Sequence, residues 1–299
     1  MNKSIYALGL ITTALAAGCA SAPDDGGAVG ETDQEMISLN GTSLNGTALS
    51  GTSTLGGSLA GQSLISVGTT GTSSTGTTLT ATSTTAPPLS TATVVGSTWT
   101  GTASNNASVK LRIDRATLVA SELWSYAVSY QTTTGWSPLC GLDGSSQPIT
   151  AVPVAGSWGP VTDDLTSYTG GTTKFTWACR AKTIAKCVEL GYKTYKGWTN
   201  QLQSCVRMLR GDYCGSGNAN TVDGTTINLY DNVGVQADNQ AWPAEAEWTP
   251  SGARCINSNN AGRWQLVQAK EPKCVKPLLT ATCGASFSSG AVLIDEYQN

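Results

Sequence analysis

Downstream of residue 95 the apolar positions fall into short alternating runs. Val109, Leu111 and Ile113 alternate with Lys110, Arg112 and Asp114, which predicts a half-buried strand. Tyr126, Val128 and Tyr130 alternate again after Leu123-Trp124, and Thr226-Ile227-Asn228-Leu229-Tyr230 predicts a further strand. Two short helices are expected between these β-rich flanks. Ile184, Cys187 and Val188 lie at helical spacing, and Leu190-Gly191 supplies a stop with glycine in a left-handed cap. Leu202, Cys205, Val206 and Leu209 fall at i, i+3, i+4 and i+7, an apolar stripe. Asn200 and Gln203 have capping-box spacing before it, and Arg207 and Arg210 close it where cations suit the helix dipole.

A different period precedes this region. Leu39, Leu44, Leu49, Leu59 and Leu64 are spaced by five or ten, and Gly41, Gly46, Gly51, Gly56 and Gly61 keep the same step. The unit, Leu-x-Gly-Thr-x, resembles a pentapeptide repeat. That likeness implies a four-sided right-handed β-helix with leucine turned inward. Four units make one coil, and a solenoid needs several stacked turns to bury a core. Two readings therefore stand for residues 37–67: a short β-helix, or a Ser/Thr/Gly spacer. Residues 68–94, closed by Pro87-Pro88, read as a Ser/Thr-rich linker, largely disordered.

The first nineteen residues alter the picture. Lys3 begins a leader whose apolar stretch, Ile5 to Ala17, is too short for a stable membrane span. Ala16-Ala17-Gly18-Cys19 resembles a bacterial lipobox, with Ala16 where leucine is usual and Leu15 one place further back. The resemblance implies a signal peptide over 1–18 and a Cys19 carrying fatty acyl chains such as palmitate. The rival is ordinary signal-peptidase cleavage near Ala20 or Ala22. Residues 19–36 read as a flexible tether. Ala20 after the cysteine, with Asp24 and Asp25 set back, fits an outer-membrane lipoprotein, on the periplasmic face or at the cell surface. The remaining chain, 95–299, reads as one disulfide-rich domain.

Composition removes several chemistries. Charged residues are 12% of the chain and the net charge is −3, which leaves no electrostatic footprint for nucleic acid. Histidine is absent, which rules out Ser-His-Asp and Cys-His pairs and every histidine-containing zinc site. No phosphate-cradling glycine motif occurs, and no cofactor is expected.

Of nine cysteines, Cys19 belongs to the leader. Cys140, Cys179, Cys187, Cys205, Cys214, Cys255, Cys274 and Cys283 remain, an even count that in an oxidising compartment predicts four disulfides. A cysteine-only metal site is the rival, but no CxxC occurs. In an antiparallel helix pair, facing residues share an index sum. Cys187 with Cys205 and Cys179 with Cys214 nearly do, so both pairs are expected to staple one helical hairpin; a bridge to Cys140 or Cys255 is the competing arrangement. The fold class that results is α+β: a disulfide-rich, β-rich domain with a stapled two-helix hairpin, preceded by a repeat stalk.

Several motifs resemble one family. Met208-Leu209-Arg210-Gly211-Asp212-Tyr213-Cys214-Gly215-Ser216-Gly217 follows the second helix. Phe175-Thr176-Trp177-Ala178-Cys179-Arg180, Ile184-Ala185-Lys186-Cys187-Val188-Glu189-Leu190-Gly191-Tyr192, Trp136-Ser137-Pro138-Leu139-Cys140-Gly141, Asp223-Gly224-Thr225-Thr226-Ile227 and Glu247-Trp248-Thr249-Pro250 complete the set. Together they resemble the ADYC domain of exported bacterial proteins, with Gly211 where the family's motif has alanine. The resemblance implies a fold unit and supplies no activity.

Arg210, Asp212 and Tyr213 beside Cys214 have two readings. They form a ligand-binding corner, or Asp212 caps backbone amides or pairs with Arg210 while Tyr213 packs beside a disulfide. Nine tryptophans against two phenylalanines fit either a sugar- or protein-binding surface or packing on disulfides. Two functions follow. One is a non-enzymatic envelope lipoprotein that meets the membrane through its N-terminal lipid and takes a glycan or protein ligand. The other is a secreted hydrolase of a polymer using paired carboxylates. Asp163, Asp164, Asp223, Asp231, Glu245 and Glu247 are available, but no spacing pairs them.

Overall fold

A computed structural model describes residues 38–39, 45, 48–81, 94–158, 165–166, 174–180 and 182–297. Cys19, the signal peptide, the tether 19–36 and most of 82–94 lie outside the described residues.

Six strands close into an antiparallel barrel: β1 (Leu64–Thr72), β2 (Thr98–Ala103), β3 (Ser108–Ala120), β4 (Leu123–Thr132), β5 (Ala151–Ala155) and β6 (Lys174–Cys179). They pair in the order β6-β5-β4-β3-β2-β1, and β1 returns to β6 through Gly68 opposite Lys174 and Val67 opposite Phe175. Closure removes the exposed edges that an open sheet would leave. Period-2 alternation fills the inside with Val67, Trp99, Leu111, Ile113, Val128 and Tyr130. Phe175 packs edge-on against both Trp99 and Trp177, at 6.0 and 5.2 Å. Gly71 makes room for this stack, because a Cβ there would lie 2.5 Å from the Trp99 indole.

The barrel therefore includes chain that the sequence pattern assigns to a stalk and a linker. Residues 64–72 are β1, and Thr78–Thr80 pairs beside it. Described residues 48–63 form no β-helix coil. Leu49 and Leu59 lie on the two arms of a hairpin, with Leu59 N–H donating to Gly51 C=O and Leu49 N–H to Gln62 C=O. Both leucines are buried in the barrel's core cluster. The physical reason is burial: one coil cannot shelter its own leucines, but the adjacent barrel can. Upstream, the Asn45 side-chain amide ties the chain to β6, its N–H donating to Trp177 C=O at 3.0 Å and its oxygen accepting from Cys179 N–H at 2.9 Å. Further upstream, Ser38–Leu39 adds a short strand to a second sheet.

The outer faces of β5 and β6 begin a second core. Ala151 faces the barrel interior, whereas Val152 and Val154 join α1 (Thr183–Glu189) and α2 (Thr199–Arg210). The second sheet comprises β7 (Thr226–Asp231), β8 (Ala244–Thr249), β9 (Gly252–Asn257) and, after α3 (Trp264–Gln268) and α4 (Pro272–Val275), β10 (Leu293–Glu296). Its order is β7-β10-β8-β9, with Leu279–Thr280 parallel to β9 at one edge. α2 lies across β8, β9 and β10. The fold is mostly β, a closed six-strand barrel and a second sheet with a few short helices between them.

α2 departs from the amphipathic stripe. Every residue from Gln201 to Arg210 is buried, the polar ones included. No side chain caps its start: the N-cap is Trp198, so Asn200 and Gln203 do not form a capping box. α1 does end as read, with Gly191 left-handed at φ 102°.

Four disulfides are present. Cys187–Cys205 staples α1 to α2, as the index sum predicts. The other expected staple does not form: Cys179 is bonded to Cys140 and Cys214 to Cys274. The index-sum argument holds only inside the helices. Cys179 ends a barrel strand and meets Cys140 in the turn after the short strand Gly135–Pro138, whereas Cys214 follows α2 toward the second sheet and meets α4. Cys255–Cys283 closes the set. Such bridges belong to an oxidising, extracytoplasmic compartment. Among the described residues no helix is long and apolar enough to cross a membrane.

Candidate functional site

The polar cluster singled out in the sequence lies where α2 runs into the second sheet. Gly211, left-handed at φ 63°, ends the helix and turns the chain downward. The turn places Asp212 and Tyr213 in the interior, with exposures of 0% and 1%.

Asp212 is satisfied by local partners. One carboxylate oxygen accepts from Ser216 N–H at 2.9 Å, and the other from Gly217 N–H at 2.9 Å and from the Arg207 guanidinium. Its partner is thus Arg207 on the preceding helical turn, not Arg210. Arg210 instead donates to Gly217 C=O at 2.8 Å and so holds the same turn from the other side. Arg207 also donates to Pro250 C=O, tying the helix to the β8–β9 turn.

Tyr213 reaches the opposite way. Its hydroxyl donates to Glu245 on β8 at 2.6 Å, and its ring lies 4.9 Å from the indole of Trp248. Glu245 accepts at the same time from Arg263, through its backbone N–H at 2.6 Å and through its guanidinium at 2.7 and 2.9 Å. Arg263 also donates to Asp295 on β10 at 2.5 Å and to Met208 C=O on α2 at 2.9 Å. Asp295 accepts from Trp248 Nε1–H at 2.7 Å and from Ala246 N–H at 3.1 Å. Arg263 thus joins α2, β8 and β10 through one planar fork, the geometry in which arginine exceeds lysine.

Two buried carboxyls beside one guanidinium cannot both ionise cheaply. Burial, and then the neighbouring Glu245 charge, push Asp295 well above the usual carboxylate range. Burial opposes ionisation of Glu245 too, but the Arg263 charge and hydrogen bonds from Asp295, Arg263 and Tyr213 outweigh it and hold that carboxyl below its usual range. Of the two, Asp295 is the carboxyl that resists ionisation and Glu245 the one that ionises beside Arg263. Burial and the Glu245 charge push the Tyr213 phenol well above its usual value, so it stays a donor.

The structure thus pairs two carboxylates that no sequence spacing pairs. Glu245 and Asp295 lie at 0% exposure with their oxygens committed to Arg263, Tyr213 and Trp248. Of the other acids considered, Asp231 anchors a loop through Val233, Val235 and Gln236 N–H groups, and accepts from Tyr192. Glu247 accepts from Gly284 N–H and from Ser288. Asp163 and Asp164 lie outside the described residues.

Arg263 and Asp295 are the members that sequence reasoning missed. Asp295, directly after the apolar run Val292-Leu293-Ile294, carries the signal of a buried charge that needs a partner, but not the partner's identity. Two groups bring a carboxylate against two sulfurs, Glu271 with Cys214 and Cys274, and Glu247 with Cys255 and Cys283. Each sulfur pair is a disulfide and so lacks the thiolates that a metal binds.

No curated protein and no solved structure matches the chain. A family comparison matches residues 91–262, more than half of the chain, to the ADYC domain. The Asp-Tyr-Cys part of the signature is then an internal joint: Asp212 shapes the turn, Tyr213 locks it to β8, and Cys214 bonds it to α4. Gly211 stands in the alanine position because a Cβ there would lie 2.8 Å from Asn220 C=O, at a φ that alanine disfavours. By the extent of that match, the chain belongs to the ADYC domain family.

Proposed function

We propose that this chain is an exported, lipid-anchored envelope protein whose disulfide-locked domain serves as a non-enzymatic binding or structural module. The observation that carries the reading is the burial of the signature. Asp212, Tyr213, Glu245, Arg263 and Asp295 each have exposures of 4% or less; the last four are joined to one another, and Asp212 is held by Arg207, Ser216 and Gly217. Such a network specifies a fold; it presents no group to a substrate. The four disulfides and the lipobox-like run at Cys19 support export and anchorage. Outer-membrane placement, on either face, follows from Ala20 and the set-back Asp24 and Asp25.

The anchoring is tested by replacing Cys19 with serine and fractionating cells fed a radioactive fatty acid. The native chain should sediment with membranes and carry label, because several acyl chains together hold firmly. Cys19→Ser should be unlabelled and recovered from the soluble exported fraction. Membrane retention of the variant overturns the reading.

A further inference from the structure

We infer that the outer face of β2, β3, β4 and the Gly135–Pro138 strand is a binding ledge for a carboxylate-bearing polysaccharide. The inference rests on the reading of this domain as an envelope binding module. Cross-strand register sets the ledge. Thr98, Arg112, Ser129 and Pro138 lie opposite one another in a row across the four strands. In the neighbouring row Thr100 faces Lys110, and Gln131 faces Trp136. Alternate residues point into the barrel, so these point out. Four strands span about 14 Å at the usual inter-strand spacing, room for more than one sugar ring.

The polar groups on the ledge are preset as donors. The Arg112 guanidinium lies 4.3 Å over the Trp136 ring. Its Nε–H donates to Asp114 at 2.5 Å, and the second Asp114 oxygen accepts from Ser129 at 2.5 Å. That carboxylate is therefore occupied, and Arg112 is held over the indole by its Nε–H alone, which leaves its terminal N–H groups to a ligand. Gln131 has its carbonyl taken by Thr54 at 3.1 Å, which leaves the amide N–H groups. Lys110, and the exposed Arg115 opposite Ala127 just beyond the Arg112–Ser129 row, make no hydrogen bond or ion pair among the described residues. The ledge thus offers three cations against one committed carboxylate, on a chain whose net charge is −3. A guanidinium fork held by an indole matches a carboxylate in a bidentate fashion, and the indole supplies an apolar flank for a sugar ring. A polymer of uronate sugars combines both features; a neutral glycan leaves the cations unanswered.

The test is calorimetric titration of the full exported chain, oxidised and in mild detergent, with polygalacturonate, its methyl ester and dextran. Polygalacturonate should bind at low salt, and the two uncharged polymers at least tenfold more weakly. Lys110→Ala with Arg112→Ala, and separately Trp136→Ala, should each weaken polygalacturonate at least tenfold with the thermal midpoint retained. Arg254→Gln, remote from the ledge, should leave binding unchanged. Equal binding of the uncharged polymers, indifference to the ledge variants, or no binding of polygalacturonate overturns the inference. The fractionation of Cys19→Ser is scored separately, so failure of the ledge leaves anchoring standing, and failure of anchoring leaves the ledge result intact.

Discussion

The Tyr213 hydroxyl donates to Glu245 across the boundary between the α2 turn and β8, at 2.6 Å, with both residues buried. That bond makes Asp-Tyr-Cys a joint between two elements. Tyr213→Phe keeps the ring against Trp248 and deletes only the donor. Glu245 still accepts from Arg263, so the charge keeps its counter-ion. The expected loss is about 1.5–3 kcal/mol, the usual worth of a hydrogen bond to a charged group. Urea midpoints of the oxidised protein check it. A midpoint equal to that of the native chain would show that the bond does not hold the joint.

The carboxyl pair predicts a window of pH stability. Asp295 has its folded value raised above the unfolded one, so its contribution is full below the unfolded value and is lost as pH rises through the folded value. Glu245 has its folded value lowered, so its contribution is present above the unfolded value and is lost as pH falls through the folded one. Asp295→Asn fixes the neutral form and removes the alkaline loss alone. Relative to native protein, the variant should gain stability as pH rises from the unfolded carboxylate value through the raised folded value of Asp295, whatever its offset at low pH. Parallel pH profiles of the two proteins would contradict the raised value of Asp295.

What the sequence shows and hides divides along physical lines. The strands over Val109–Ile113 and Tyr126–Tyr130 and the Cys187–Cys205 staple were legible because period and helix geometry are local. Closure of the barrel was not. Leu49, Leu59 and Leu64 repeat every five or ten residues and look like a solenoid in isolation, yet their burial depends on strands far downstream. The polar joint was half legible. Asp212 and Tyr213 stood out as a cluster, but Arg263 and Asp295 lie distant in the chain, and nothing local to either names its partner. The outer staple failed for the same reason: Cys179 leaves the helical pair for the barrel.

Barrel closure predicts where the folding unit starts. A chain beginning at residue 91, the start of the family match, lacks β1 and the Leu49–Leu59 hairpin. It exposes the β2 and β6 edges and opens the aromatic core around Trp99 and Phe175. A chain beginning at residue 38 keeps them. The shorter chain should aggregate, because unpaired edges over an exposed core recruit other chains. The longer one should be monomeric, with no reactive thiol under denaturing, non-reducing conditions. Size-exclusion chromatography and thiol titration compare them. A soluble monomer from residue 91 would mean that β1 is dispensable.

Gly211 offers the sharpest test of the helix exit. Restoring the family's alanine by Gly211→Ala should destabilise this chain, although it matches the motif more closely. The left-handed φ of 63° costs about 1–2 kcal/mol for alanine. The added Cβ then meets Asn220 C=O, which the Asn220 N–H bond to Arg210 C=O holds in place. Gly224→Ala separates the two effects, since Gly224 has φ 85° and nothing within 4 Å of its added Cβ. It should lose the conformational cost alone. Gly211→Ala should therefore lose more than Gly224→Ala in chemical denaturation. Equal losses would show that the Asn220 segment yields, and that the fit of this turn is not what selects glycine over alanine.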